Sequence, residues 1–463
     1  MTVSPGQAGV RIPAGYLGLS IEWWAVEAYA GRNPNAINPV LVQLIRNLIP
    51  DQTGVLRIGG VTTDGTWWPV AGVPRPPGDV YNLSERRLEV LKALAQEVGA
   101  RLILGVNLEQ DSRTLAAAEA RAMLATVGRS RIAAFELGNE PELWGNPNFA
   151  WYTRDGHNVP GRPPGWDMAT FTSDFANVGS ALPQVGLAGP AAGAAEWLDQ
   201  LGDFIAGEPR LAMVTVHRYP FEACSASPAE PWYPALGRLL SAAASVGQVA
   251  GVQPSLALAH AHHLPLRIDE MNTVACGNPP GIPDTFAMAL WAIDSLYAYA
   301  QAGVDGVNVH TWPGAIYQLF AFKHLASGWR ALVEPEYYGL WMFAQGAPAG
   351  SRLLQTSSAD TAVRVWATRA ADGTIRITLI NDDQATAHRA AVHVAGARGA
   401  ASVERLLAPG AGATTGVTLG GQSLSQTTTG QPVGPFSTTT ITPSGGTYQV
   451  SLPPASAALL TLG

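Results

Sequence analysis

The chain predicts an α/β fold: a (β/α)8 TIM barrel with an all-β sandwich appended at its carboxyl end. Three observations predict it. Eight apolar strand-like runs alternate with alanine- and leucine-rich periodic segments, the pattern of a closed parallel barrel wrapped by helices. Seven of those runs end abruptly in polar or aromatic residues, as buried strands do where they present side chains to a ligand. After about residue 346 the texture changes to short alternating runs separated by Gly, Thr and Ser, which read as antiparallel strands.

The candidate barrel strands are 16–22, 54–60, 101–107, 132–139, 185–189, 212–219, 266–271 and 306–312. The clearest helical segments between them are 83–98, 112–127, 166–180, 237–246 and 284–302. Trailing strands are expected at 362–367, 374–380, 391–394, 402–407, 438–442 and 448–452, with Asp372-Gly373 as a hairpin turn between two of them. Segment 410–434, rich in Gly, Thr and Gln, reads as long loops. The division expected is a catalytic barrel over 15–345 and a β sandwich over 346–463, to which residues 1–14 add a strand.

Chemistry in such a barrel gathers at the carboxyl ends of the strands. The first run closes with Glu22-Trp23-Trp24 and the second with Arg57 followed by Thr62-Thr63-Asp64. The third ends at Asn107 and the fourth at Asn139-Glu140. The sixth ends in His217-Arg218-Tyr219, the seventh in Glu270 and the eighth in His310-Thr311-Trp312; only the fifth, ending Gly189-Pro190, is quiet. Two carboxylates delivered from distant parts of the chain suit glycosidic bond cleavage. One acts as nucleophile and one as general acid, about 5–5.5 Å apart when configuration is retained. The nucleophile must stay ionised, and Tyr219 and Arg57 are suitable donors for it. Asn139 stands beside the acid, where it can hold a sugar hydroxyl.

The 463 residues are 47% hydrophobic and 14% charged, enough for a large buried core. Net charge is −7 and the only lysines are Lys92 and Lys323, so the basic stripe of a nucleic-acid or sulfated-polymer binder is missing. No apolar run is long enough to span a bilayer. No export leader precedes the first strand; the expectation is a secreted or extracytoplasmic protein trimmed of its signal, with a cytoplasmic one as the alternative. Cys224 and Cys276 lack metal-site spacing and both follow strand ends. They form either a disulfide or two inert thiols. No metal or cofactor is expected, the partner is a small glycoside or oligosaccharide, and oligomeric state is not legible.

These residues resemble a known group. Asn139-Glu140-Pro141, His217-Arg218-Tyr219 and Glu270 at their strand ends are similar to the clan A retaining glycosidases. Within that clan the chain resembles glycoside hydrolase family 79, the β-glucuronidases and heparanases. The cues are Glu136-Leu-Gly-Asn-Glu-Pro141, Leu56-Arg-Ile-Gly-Gly60, Asp284-Thr-Phe-Ala287 and Tyr317 after the eighth strand. The resemblance spans about residues 16 to 345, and the trailing β module fits the family's second domain. It implies Glu140 as acid/base, Glu270 as nucleophile, Asn107 and Asn139 on the sugar, and Tyr219 on the nucleophile. It also implies that Tyr317 helps bind the C6 carboxylate of glucuronate. One stretch departs from the pattern. Relatives often take that carboxylate on a glycine-rich backbone; here Val274-Ala-Cys-Gly-Asn-Pro-Pro-Gly281 keeps Gly277 as a donor but has two prolines that supply none. The activity implied is a retaining exo-β-glucuronidase. A β-glucosidase or disaccharide-releasing enzyme, a heparanase-like endo-enzyme and an inactive carbohydrate-binding barrel are the alternatives.

Further features lie around this constellation. His260-Ala-His-His263 lies at a helix end before the seventh strand, on the face away from the chemistry, where histidines favour the helix dipole. His310 lines the sugar pocket, and Glu136 pairs with a buried arginine such as Arg57. Trp23, Trp24, Trp67, Trp68, Trp144, Trp151 and Trp312 fall near the active face, where indoles stack on sugar C–H faces. Segment 145–164 is placed to shape the leaving-group side, and Asn82-Leu-Ser84 fits a glycosylation pattern only weakly.

Overall fold

The computed structural model describes residues 1–51, 53–224, 227–276 and 281–463. Eight parallel strands close into a barrel. In chain order they are Leu17–Glu22, Val55–Gly59, Arg101–Val106, Ile132–Leu137, Leu187–Ala192, Leu211–Arg218, Leu266–Met271 and Gly306–Thr311. Each is buried almost throughout, which explains why their sequences are continuous apolar runs rather than alternating ones. The fifth strand runs beyond its expected end at Gly189, to Ala192.

Between the strands, helices Glu85–Glu97, Arg113–Val127 and Met168–Gly179 start where Ser84, Ser112 and Asp167 cap a backbone N–H. The segment expected to be one helix at 237–246 is instead a short turn, Leu236–Leu239, with the longer helix following at Gln253–Ala261. Helices Pro39–Leu48 and Pro335–Gly346 were not among those expected. Both open on a proline at the first helical position, where its missing N–H costs nothing.

The trailing strands form a ten-stranded sheet with its own apolar core, built from Val365, Ile377, Leu379, Val392, Val403, Tyr448, Val450 and Leu460 among others. The N-terminal strand Thr2–Arg11 lies inside this sheet, antiparallel to Arg352–Ser357 and parallel to His388–Val394. The sheet is fastened to the barrel helix Phe286–Ala302. Trp366 stacks on Tyr297 with ring centroids 5.6 Å apart and donates its indole N–H to Asp294 at 2.7 Å. No helix among the described residues is long and apolar enough to cross a membrane.

Candidate active site

At the carboxyl ends of the strands lies a cavity of about 630 Å³. Its walls include Glu22 and Trp24 from the first strand end and Glu140 after the fourth. His217 and Tyr219 come from the sixth and Glu270 from the seventh. His310, Trp312 and Tyr317 follow from the eighth. One carboxylate oxygen of Glu140, one of Glu270 and a ring nitrogen of His217 all lie within 4.8 Å of one another. Such spacing would also suit a divalent cation, but Arg57 and His217 already supply the positive charge these carboxylates face.

Register explains the convergence. A shift between Val216 and His217 sets His217 opposite Glu270 on the neighbouring strand. Glu140 is brought in by its backbone: φ 46° and ψ 57° place a non-glycine residue in the left-handed region. That conformation costs about 1 kcal/mol or more and is held by Glu140 N–H donating to Ala191 O and Glu140 O accepting from Leu143 N–H, both 2.9 Å. Its side chain stays 22% exposed, open to the cavity, with Oε1 3.0 Å from His217 Nδ1. Glu270 is buried. Its Oε1 accepts from the Tyr219 hydroxyl at 2.8 Å and its Oε2 from Arg57 Nη1 at 2.5 Å.

The two acids sit in different fields. Burial opposes ionisation of Glu270, but His310, His217, Arg57 and Tyr219 outweigh it and hold the carboxyl well below the usual range. Burial also opposes the charge of His217, and here Glu270, Glu140 and Asp269 prevail, raising it to about 9. Arg57 is wholly buried and bonds Glu136 at 2.7 Å, Glu270 at 2.5 Å and Asn139 Oδ1 at 2.8 Å. The Arg57–Glu136 pairing is the one expected of Glu136.

Glu22 completes the floor. It accepts from Thr62 N–H at 2.9 Å and from the Thr62 hydroxyl, with His310 Nε2 3.4 Å away. Gly60 makes this approach possible: at φ +73° its absent Cβ would stand 2.3 Å from Glu22 Oε1. Tyr317 packs against Tyr219 and His310, each ring pair 6.3 Å between centroids.

Not every expected residue reaches the cavity. Asn107, expected on the sugar, is fully buried and spends its amide on the loop of the second strand. Its Nδ2 donates to Asp64 O, Thr66 O and Asp79 Oδ1 at 2.9–3.0 Å, and its Oδ1 accepts from Gln110 N–H at 3.1 Å. It shapes a loop instead of lining the cavity. Asn139 is likewise engaged, through Arg57 and through its backbone N–H to Asp64 at 2.8 Å. It borders a neighbouring cavity of about 260 Å³ that shares Glu140, Leu143, Phe149 and Val61 with the main one. Gly277 lies outside the described residues.

Of the tryptophans, Trp24 and Trp312 line the main cavity, edge to face at 6.2 Å. Trp144 and Trp151 line the smaller one. Trp23 and Trp67 are buried and spend their indole N–H groups on Gly105 O and Asn82 Oδ1, and Trp68 packs against the core. Segment 145–164 contributes Phe149 to both cavities. His260 pairs with Asp305 at 2.9 Å near the other end of the seventh strand, away from the cavity. Cys224 and Cys276 are joined as a disulfide, Cα atoms 5.6 Å apart, and Cys276 reaches the cavity wall. Thr62, Glu142 and Arg218 also line the cavity and were not singled out beforehand as ligand contacts. Glu142, two residues past Glu140, holds Gly193 and Ala194 N–H on one oxygen.

Residues 365–459 match the family model described as the glycosyl hydrolase family 79 C-terminal beta domain. No curated protein sequence matches the chain. Among solved structures the chain is similar to a 4-O-α-L-rhamnosyl-β-D-glucuronidase from Fusarium oxysporum 12S, in complex with Rha-GlcA. Identity is 19% over 100% of both chains, with a TM-score of 0.78. A family 51 arabinofuranosidase from Xanthomonas axonopodis pv. citri gives 16% identity over 100% of this chain and 99% of that one, TM-score 0.70. The family 51 α-L-arabinofuranosidase AbfB from Bifidobacterium longum gives 16% over the same shares, TM-score 0.64. These likenesses establish the architecture: a barrel with an appended β domain.

Proposed function

We propose that this chain is a glycoside hydrolase of family 79, as its matched C-terminal domain suggests, and a retaining exo-β-glycosidase acting on β-glucuronides. The observation that carries the reading is the spacing of Glu140 and Glu270, within 4.8 Å at one oxygen each. That is close to the about 5–5.5 Å of retaining enzymes and too tight for a water molecule to attack between them. Ionised Glu270 attacks the anomeric carbon while Glu140 gives its proton to the leaving oxygen, so the glycosidic C–O bond breaks as a glycosyl ester forms. Glu140, now a carboxylate, takes a proton from water, whose oxygen attacks the same carbon. Glu270 leaves as carboxylate and Glu140 is protonated again. Tyr219 and Arg57 hold the nucleophile's two oxygens throughout, and His217 orients Glu140.

Glucuronate as the glycone is supported by the matched β domain and by the name of the Fusarium enzyme. A disaccharide-releasing reading is favoured by one observation, the second cavity that abuts Glu140. The test is hydrolysis of 4-nitrophenyl β-glucuronide beside the matching β-glucoside, with NMR of the first-formed anomer and mass analysis of the released sugar. β-Glucuronate released first supports the proposal; α-anomer first, or glucose preferred, overturns it. The disulfide supports an extracytoplasmic setting.

A further inference from the structure

Two carboxyls beneath the catalytic pair have no part in the mechanism above. Glu136 on the fourth strand and Asp269, next to Glu270 on the seventh, are both completely buried. Arg57 Nε lies 2.7 Å from Glu136 Oε2 and 3.4 Å from Asp269 Oδ2. Its single hydrogen goes to Glu136. Glu136 Oε1 and both oxygens of Asp269 are then left with no hydrogen-bond donor among the described residues.

The other charged groups around Asp269 do not fill that gap. His217 Nε2 stands 3.7 Å from Oδ1, too far for a hydrogen bond. Arg267, on the same strand, turns its guanidinium to Asn308 Oδ1 and Gly15 O. Glu270 adds a further negative charge. Three ionised carboxylates around one permanent cation, with three orphaned oxygens in a dry interior, is an arrangement proteins avoid. One proton resolves it. Carried by Asp269 and donated to Glu136, it satisfies an orphan on each side and removes one charge, as in other buried carboxyl pairs.

We propose that Asp269 is a positioning residue that stays protonated and shares its proton with Glu136, leaving Arg57 and His217 to Glu270 and Glu140. The electrostatics agree: burial and Glu136 push Asp269 up, whereas Glu136, despite burial, is held down by Arg57 and by the bond from Asp269. Were Asp269 ionised, a second anion beside the nucleophile would draw on the same two cations. The inference rests on Glu270 as nucleophile.

The full chain tests it in three arms. Asp269→Asn is a neutral isostere that still donates to Glu136; its kcat/KM on 4-nitrophenyl β-glucuronide should stay within about threefold of wild type, with the acid limb of the pH profile unmoved. Asp269→Leu leaves Glu136 unsatisfied and should lose roughly tenfold to a hundredfold. The infrared difference spectrum, wild type minus Asp269→Asn, should show near neutral pH the C=O stretch of one protonated carboxylic acid, shifted in D2O, with other buried acids such as Glu119 and Glu336 cancelling. Loss in Asp269→Asn as deep as in Asp269→Leu overturns the proposal, as does wild-type activity in both, or a difference spectrum with no acid band. If Asp269→Leu does not fold, the Asn and infrared arms decide. If wild type cleaves no β-glycoside yet the band behaves as expected, the shared proton stands and the catalytic reading falls.

Discussion

Replacing His217 with Asn removes a buried cation, and the structure says how much stability should go and at which pH. His217 is 1% exposed, with Nδ1 3.0 Å from Glu140 Oε1. Its pKa is raised to about 9: burial works against the charge, and the surrounding carboxylates overcome it. Against an ordinary histidine near 6.5 the rise is about 2.5 units, and at about 1.36 kcal/mol per unit it corresponds to about 3 kcal/mol of folding stability. With Asp269 neutral, and with Glu140 carrying the proton it gives the leaving group, the pull is weaker, so about 3 kcal/mol is the upper figure. Because the folded pKa lies above the unfolded one, this contribution is complete below about pH 6.5 and disappears as pH rises through about 9. Urea unfolding of wild type and His217→Asn at about pH 6 and about pH 10 measures it. The stability gap between the two proteins should shrink, by up to about 3 kcal/mol, from the lower pH to the higher. A gap that is the same at both values, or wider at the higher, would refute the claim that His217 is a cation holding the carboxylates together.

Three catalytic substitutions probe the assigned roles. Glu270→Ala should lose at least about a thousandfold in kcat, and added azide should restore turnover with a glycosyl azide of inverted configuration; a retained product would reverse the assignment of nucleophile. Glu140→Ala should spare nitrophenyl substrates far more than alkyl glycosides, since a good leaving group needs no proton, so equal loss on both would remove Glu140 from the acid role. Tyr219→Phe deletes one bond to a buried carboxylate, about 1.5–3 kcal/mol, and should raise the acid limb of kcat/KM by about 1–2 pH units. The sign follows from Glu270's depressed pKa: activity is present above it and lost as pH falls through it, so weaker stabilisation of the anion moves the limb upward, and an unmoved limb argues that Tyr219 does not serve the nucleophile.

Much of the fold was legible because a parallel barrel writes itself in two strong signals, continuous apolar strands and periodic helices. Helix Pro39–Leu48 escaped notice because it is short and lies in a stretch broken by Asn and Pro, although Asn38 followed by Pro39 is itself a helix-start signal. The site was legible where a strand end is polar and its side chain points into the cavity, as with Glu140, Tyr219 and Glu270. Asn107 shows the limit. A polar residue at a strand end can as well tie down its neighbouring loop, and only the positions of Asp64, Thr66 and Asp79 decide between the two. The tryptophans divide for the same reason, since an indole that faces a cavity and one that packs beneath it read alike in sequence. Asp269 was invisible as a separate element: its partner Glu136 is far away in the chain and meets it only across the closed barrel.

That meeting also explains why a barrel would tolerate so much charge at its centre. An apolar core of the same volume would commonly be as stable or more so, because buried ion pairs rarely repay their desolvation. Arg57 nonetheless ties its own strand to Ser20 on the first, Glu136 on the fourth, Asn139 just beyond it and Glu270 on the seventh. Ser20 is on the neighbouring strand, but the other three are cross-barrel bonds that no pair of adjacent strands could make. Their effect is geometric: they fix the distance and orientation between Glu270 on one side of the barrel and Asn139, the residue preceding Glu140, on the other. A catalytic pair must be held to a fraction of an ångström to grip one anomeric centre. Apolar packing supplies stability, but it is not directional enough to aim two carboxylates at one carbon. The buried network is therefore best understood as the part of the core that trades stability for aim, with the proton between Asp269 and Glu136 keeping its charge within what one arginine and one histidine can balance.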